Sequence, residues 1–166
     1  MSEVLFYFFG VVAIAAATAA VTRKNAVAAV MWLVLMFFCL AGIFVLMEAY
    51  FVAVVQVLVY AGAIMVLFLF VIMLLDLRNE ELAVFGSPDF RKVGLLAAAG
   101  FLALSVMVIW RSRGLMLPAS GGGPDGSAAA IGEAMFNRWL LAFEVTSLLL
   151  LGAILGAVIL TKRRLS

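Results

Sequence analysis

Five long apolar runs, separated by stretches that carry nearly all of the charge, constrain this chain more than any other feature. A membrane-spanning helix needs about 17–25 predominantly apolar residues, and runs of this kind occur at about 4–21, 26–46, 50–75, 93–110 and 139–160. Of the 166 residues, 68% are hydrophobic and only 12% are charged, about half the charged share of a soluble domain. We therefore predict an all-α integral membrane protein with five transmembrane helices, forming a single membrane domain over residues 1–166.

The connections between these runs differ in length and composition. Residues 76–92 are charged, and residues 111–138 contain a Gly-, Ser- and Pro-rich stretch that is typical of a flexible loop. The connection at 47–49 is so short that the second and third helices must be antiparallel neighbours. All three prolines lie outside the predicted helices: Pro88, Pro118 and Pro124.

The distribution of lysine and arginine predicts the orientation, because cytoplasmic loops carry an excess of these residues. With the N-terminus outside, eight of them lie inside: Arg23, Lys24, Arg78, Arg91, Lys92, Lys162, Arg163 and Arg164. Three then lie outside: Arg111, Arg113 and Arg138. We predict an external N-terminus and an internal C-terminus. Because the positive charges follow the first run instead of preceding it, we expect this helix to be retained and not cleaved as a signal peptide.

Several classes of site are excluded by composition. The chain has no histidine, and Cys39 is its only cysteine, so it cannot alone ligate haem through histidine or hold an iron–sulfur cluster. No basic patch for nucleic acid is present, and no nucleophile–base pair or metal cluster is apparent. The glycines at 121–123 follow no strand, so they do not form a nucleotide-binding motif. We predict no catalytic or metal site in this chain alone.

The third helix carries the most informative polar residues. Gln56 and Tyr60 are four residues apart, and Ala53 and Ala63 extend the same stripe at helical spacing. Such a stripe faces protein, because lipid cannot satisfy an amide or a hydroxyl. The pair either forms hydrogen bonds between helices or contributes to a hydrated proton path. Gly62 fits both close helix packing and a local π-type distortion.

Two carboxylates lie at or inside the predicted membrane boundary. Glu48 occupies the turn between the second and third helices, as an exposed loop carboxylate or as a group at the entrance of a polar path. Glu144 lies within the fifth helix, and Leu148, Gly152 and Gly156 follow it on one face. An intramembrane carboxylate is costly, which favours a functional role. The alternative is a carboxylate that reaches the membrane interface.

The segment from Tyr50 to Leu75 resembles a known family. Its core, Val59-Tyr60-Ala61-Gly62-Ala63 followed by Val66-Leu67-Phe68, is similar to the third helix of chain J of proton-translocating NADH:quinone oxidoreductase, respiratory complex I. That chain is the counterpart of mitochondrial NADH dehydrogenase subunit six. The run Phe143–Leu150, the Glu48 turn and the five-helix layout are also similar, whereas residues 111–138 carry no shared motif.

The resemblance implies a non-redox subunit of a translocating enzyme in the bacterial inner (cytoplasmic) membrane. Its partners would be the quinone-binding heel subunit and the small antiporter-adjacent subunits, and FMN, iron–sulfur clusters and a quinone would be bound by other subunits. The family's π-bulge maps to Tyr60, Ala61, Gly62 and Ala63, and its bulged and regular forms are associated with interrupted and continuous hydration. Candidate proton-path or coupling residues are Tyr60, Glu48, Glu144 and Gln56. Related chains sometimes carry Glu where this one has Gln56, so Tyr60 with bound water would have to serve here.

Other functions remain open at the level of sequence. The chain also fits a subunit of a multisubunit cation/proton antiporter, or of a relative in which ferredoxin or a deazaflavin replaces NADH as donor. An independent small transporter would use Glu48 and Glu144 as ion sites, but the chain shows no internal repeat. A passive packing subunit would use the same polar residues only for assembly.

Overall fold

The structure, a computed structural model, describes residues 2–75, 88–112 and 126–162. These ranges are helical, apart from short turns, and contain no strand. The elements are α1 (Ser2–Thr22), α2 (Ala26–Leu46), α3 (Tyr50–Val55), a π-helix (Gln56–Ile64), α4 (Met65–Leu74), α5 (Pro88–Ser112), α6 (Ala128–Asn137) and α7 (Leu140–Thr161). Five helices are long and apolar enough to cross a membrane, with α3, the π-helix and α4 forming the third spanning segment, Tyr50–Leu74. The prediction of five spanning helices is confirmed.

Local capping explains where α2 begins and ends. The Asn25 side chain accepts hydrogen bonds from the amides of Val27, at 3.0 Å, and Ala28, at 3.2 Å, which satisfies donors that have no acceptor inside the helix. At the other end the Glu48 amide donates to Val45 O at 3.0 Å and the Ala49 amide to Phe44 O at 2.9 Å. These paired bonds form a Schellman motif, which reverses the chain directly into α3.

Small residues form the interface between α1 and α2. Ala13, Ala16 and Ala20 are buried on one face of α1, and Ala16 has no exposed surface. On α2 a Cβ atom at Gly42 would lie 3.1 Å from the Phe9 ring, so this glycine leaves room for an aromatic side chain of α1. Helices in a membrane associate mainly by close packing, which small residues permit.

The third spanning segment packs against α2 along its length, as the short connection requires. Ala53, Gln56 and Ala61 are buried there, whereas no residue of α4 is buried. The contact is therefore tighter in the first part of the segment than in the last.

The last two spanning helices are arranged differently. No residue of α5 from Lys92 onward is buried, and none of α7 is buried. The chief contact of α7 is with α6, where the rings of Phe136 and Phe143 lie 5.1 Å apart. Within the described residues, these two helices therefore present most of their apolar surface outward.

Two sequence predictions about connections require correction. The flexible loop predicted at 111–138 is wrong for Ala128–Asn137, which forms α6, because an alanine-rich stretch follows Ser127 and the Ser127 hydroxyl accepts from the Ala130 amide at 3.3 Å. Pro88 lies inside a helix, as the first residue of α5, since a proline lacks only an amide that the first turn leaves unbonded. The rest of the predicted loops, 76–87 and 113–125, lies outside the described residues.

Candidate functional site

The π-helix Gln56–Ile64 is the most unusual backbone feature of the described chain, and it lies in the middle of a spanning segment. It contains Tyr60, Ala61, Gly62 and Ala63, the residues to which the family resemblance assigns the distortion. At its end the Met65 amide reaches Tyr60 O, five residues earlier. π-Helices are rare and occur frequently at functional sites, which makes this segment the candidate site.

A backbone carbonyl of the same helix lies close to the Cα atom of Gly62. A Cβ atom there would lie 3.1 Å from Val57 O, the carbonyl five residues earlier. A side chain at position 62 would therefore require a shift of a few tenths of an ångström. The absence of a Cβ atom favours the π-helical geometry at this point.

Gln56 begins the π-helix and is buried, with 8% of its surface exposed. The residues buried with it are Ala53 and Ala61. The sequence placed Tyr60 and Ala63 on the same protein-facing stripe; both are exposed within the described chain, so that part of the stripe stays a prediction. The i to i+5 bonds of the π-helix bring Ala61 next to Gln56 along the helix.

Tyr60 is half-exposed, at 46% of its surface. Its ring lies 6.0 Å from that of Phe37 on α2, with an angle of 56° between the planes. Among the described residues no side-chain hydrogen bond involves the Tyr60 hydroxyl or the Gln56 amide. A hydroxyl is both donor and acceptor, so Tyr60 can bond water or a group from another chain.

Glu48 lies close to the start of this segment and has a strained backbone. It is the residue after the α2 C-cap, and its φ is 60°. Among the described residues it is the only non-glycine residue with positive φ. Glycine is the usual residue at this position of a Schellman motif. A carboxylate retained there at a conformational cost of about 1–3 kcal/mol is a reason to suspect a function.

Glu144 lies on another part of the molecule, in the second turn of α7. It is exposed, and the described residues provide no ion pair or hydrogen bond to its carboxylate. The neighbouring hydroxyls bond to carbonyls of their own helix: Thr146 to Ala142 O at 2.9 Å, and Ser147 to Glu144 O at 2.7 Å. The structure thus groups Glu48, Gln56 and Tyr60 near one segment and does not bring Glu144 into contact with them.

The same face of α7 leaves space for a neighbour. A Cβ atom at Gly152 or at Gly156 would meet nothing within 4 Å. The sequence predicted that the Glu144 face points toward neighbouring helices, and within the described chain no helix covers it.

Sequence reasoning missed Gly126, which contacts the Glu48 turn. The Phe51 amide, in the first turn of α3, donates to Gly126 O at 3.2 Å. Gly126 belongs to a glycine-rich stretch that is typical of a loop, so composition offers no signal for this contact. Phe37 was also missed, because an aromatic residue on an apolar helix is unremarkable.

Together these features define a class of protein: a multi-pass, all-helical membrane protein with a polar π-helical segment at its centre and with spanning helices left uncovered by the described chain. Comparison with known proteins makes the class specific. Residues 16–160 match the family described as NADH-ubiquinone/plastoquinone oxidoreductase chain 6.

Individual relatives agree with this match. The chain is 41% identical to NADH-quinone oxidoreductase subunit J of Rhodobacter capsulatus, over 95% of this chain and 80% of the relative. It is 34% identical to the subunit J of Escherichia coli strain K12, over 93% of this chain and 84% of the relative. It is 37% identical to NADH-quinone oxidoreductase subunit 10 of Thermus thermophilus, over 86% and 79%.

The chain belongs to the NADH-quinone oxidoreductase chain 6 family, the subunit J family of respiratory complex I. The relatives are named as subunits of NADH-quinone oxidoreductase.

Proposed function

We propose that this chain is a non-redox subunit of the membrane arm of a bacterial NADH:quinone oxidoreductase, and that its third spanning segment couples quinone reduction to proton translocation. It would lie in the inner (cytoplasmic) membrane with its N-terminus outside and its C-terminus inside. The observation that carries the coupling role is the π-helix Gln56–Ile64, which places a buried glutamine and a half-exposed tyrosine inside a membrane-spanning segment.

The coupling would act through the hydrogen-bond pattern of the segment. Conversion of i to i+5 bonds into i to i+4 bonds changes which side chains lie next to one another along the helix. The Tyr60 hydroxyl then turns relative to α2, and water reaches or leaves the space beside Gln56. Tyr60 can receive and release a proton through its hydroxyl, whereas the Gln56 amide can only orient water. Glu48 and Glu144 are the titratable groups of this chain that would continue the path.

The electron carriers would be held by other subunits. An iron–sulfur cluster requires several cysteine ligands, and this chain has one cysteine and no histidine. The clusters would therefore bind elsewhere in the complex, and the family resemblance implies the same for FMN and the quinone. We propose the quinone-binding heel subunit and the small antiporter-adjacent subunits as the chains that cover α5 and α7, because both helices leave apolar surface uncovered.

A passive packing role is the second candidate. The observation that favours it is the contact of Tyr60 with Phe37, which a phenylalanine at position 60 would preserve. The two candidates differ in one respect: a packing residue affects the amount of assembled complex, while a coupling residue affects the activity of each complex.

The substitution Tyr60→Phe separates these roles, because it removes the hydroxyl and retains the ring. The tagged variant chain is expressed in the host, the complex is purified in mild detergent, and quinone reduction and proton pumping are measured per complex after reconstitution. We expect wild-type abundance on a native gel stained for NADH dehydrogenase activity, and coupled turnover lowered by roughly 100-fold, the low end of the contribution typical of a positioned proton-transfer group.

Tyr50→Phe is the matched control, since Tyr50 lies in the same segment outside the π-helix. Unchanged reduction and pumping in Tyr60→Phe would refute the coupling role. A tag that never migrates with the active complex would instead favour an antiporter subunit, and ion flux catalysed by the purified chain in liposomes would favour an independent transporter.

A further inference from the structure

The third spanning segment begins without a local cap. The first amides of a helix have no acceptor inside it, and side-chain oxygens of Ser, Thr, Asp or Asn usually provide one. Asn25 does this for α2 and Ser127 for α6. At the start of α3 the N-cap residue is Ala49, which has no side-chain oxygen.

Gly126 provides the missing acceptor from a distant part of the chain. Its carbonyl accepts the Phe51 amide at 3.2 Å. The approach is so close that a Cβ atom at position 126 would lie 2.8 Å from Ala49 Cα and in contact with the Glu48 carbonyl oxygen. Both neighbours are backbone atoms that cannot rotate away, so only glycine fits here.

Residues of the same segment beyond this cap are held against α2. Ala53 and Gln56 are buried just after the cap, and Ala61 is buried within the π-helix. In α4, by contrast, no residue is buried. The first part of the segment is therefore fixed at its tip and along its side, and the last part is held more weakly.

This asymmetry determines which part can move. Loss of one residue from a π-type turn rotates one side of the helix relative to the other by about 100°. A rotation of α3 would break the Phe51–Gly126 hydrogen bond and expose Gln56, whereas a rotation of α4 would uncover only the half-buried Met65, Leu69 and Ile72. The weaker side, Met65–Leu74, would rotate.

We propose that Gly126 is a positioning residue: it caps and fixes the start of the third spanning segment. A change in the hydrogen bonds of the π-helix therefore rotates Met65–Leu74 and leaves α3 in place. This inference rests on the proposed coupling function. Gly126 also precedes α6, which packs on α7 through Phe136 and Phe143. The same contact thus links the helix that carries Glu144 to the start of the segment that carries Tyr60.

The test compares Gly126→Ala with Gly132→Ala in the assembled complex. Gly132 lies in α6, and a Cβ atom there would meet nothing within 4 Å, so it is a matched control. Hydrogen exchange of the amides at 50–52 is measured by mass spectrometry, and coupled turnover is measured per complex. We expect Gly126→Ala to accelerate exchange at Phe51 by about fivefold, the effect of one lost hydrogen bond, and to lower coupled turnover. Gly132→Ala should match the wild type in both.

Each outcome bears on a separate part of the inference. Equal exchange rates of the Phe51 amide in Gly126→Ala and Gly132→Ala would refute the assignment of Gly126 as the cap. Faster exchange with wild-type coupled turnover would overturn the positioning role and leave the proposed function intact. Failure of the proposed function is detected independently: the Tyr60→Phe variant would then reduce quinone and pump protons like the wild type.

A measurement on the wild type covers the case in which Gly126→Ala does not assemble. Corrected for intrinsic rates, the Phe51 amide should exchange about fivefold more slowly than the Tyr50 amide beside it, which has no acceptor among the described residues. Equal corrected rates would refute the cap without any substitution.

Discussion

All five spanning segments are strongly apolar, but the first three and the last two use their surfaces differently. In the first group, Ala16 has no exposed surface and a phenylalanine ring fills the space beside Gly42. In the second group, no described residue of α7 is buried, and the glycines at 152 and 156 have no neighbour beyond their own helix. Apolar composition brings a helix into the membrane, but it does not specify a partner, because lipid is as apolar as the helix.

The contrast also concerns polar groups. In the first group Gln56 is buried against a neighbouring helix of the same chain. In the second group Glu144 is an exposed carboxylate within a spanning helix. Because such a group is costly in lipid, we interpret α1, α2 and the third segment as a unit that packs within the chain, and α7 as a helix that packs against another subunit.

The largest expected effect is a loss of packing in the first group. Ala16→Leu places three more carbon atoms in an interface with no free surface, and overpacking costs about 1–3 kcal/mol. We expect the amount of assembled complex on a native gel to fall strongly. Ala15→Leu, one residue away on the exposed face, should change stability by less than about 0.5 kcal/mol. Equal losses in the two variants would contradict the assignment of this interface.

A substitution in α7 should make membrane insertion of the isolated chain more favourable. Glu144→Leu removes a carboxylate from a spanning helix, so we expect the chain to insert more favourably by about 1–2 kcal/mol, less than the cost of a charge at the membrane centre. Coupled turnover of the complex should nevertheless fall, because the carboxylate serves contacts made only in the assembly.

Insertion is measured with the chain expressed alone, and turnover with the purified complex. Glu133→Leu is the control, since Glu133 is exposed on α6, outside the spanning helices. If Glu144→Leu complexes assemble and pump like the wild type, the Glu144 face contacts only lipid and the proposed contrast between the two groups fails.

The smallest expected effect concerns the turn between α2 and α3. Glu48→Gly removes a side chain from a residue with positive φ, so the chain should become more stable by about 1 kcal/mol. Coupled turnover should still fall if the carboxylate contributes to the proton path. Glu48→Asn, which tolerates positive φ and is uncharged, should lower turnover similarly. Wild-type turnover in both variants would leave Glu48 as an exposed loop carboxylate that strains the turn.

The spans and the antiparallel pairing of α2 with the third segment follow from local rules, and the structure agrees with both. The stripe of Ala53, Gln56, Tyr60 and Ala63 was predicted with α-helical spacing; Ala53 and Gln56 are buried within the described chain, and Tyr60 and Ala63 are exposed there. A π-helix replaces that spacing by one that buries Ala61.

The sequence by itself determined the five helices that are long and apolar enough to cross a membrane, and its motifs pointed to the chain 6 family, because length, apolarity and motif are local properties. The tertiary structure alone determined that Gly126 caps the third segment and that Glu48 adopts positive φ. It also showed which spanning helices remain uncovered within the described chain. The Gly126 cap and the uncovered faces depend on contacts between residues far apart in sequence, and a glycine in a loop or an apolar face has the same local pattern whether or not such a contact exists. The Glu48 conformation arises from the local turn, where the usual glycine is replaced by a residue that gives no signal for positive φ.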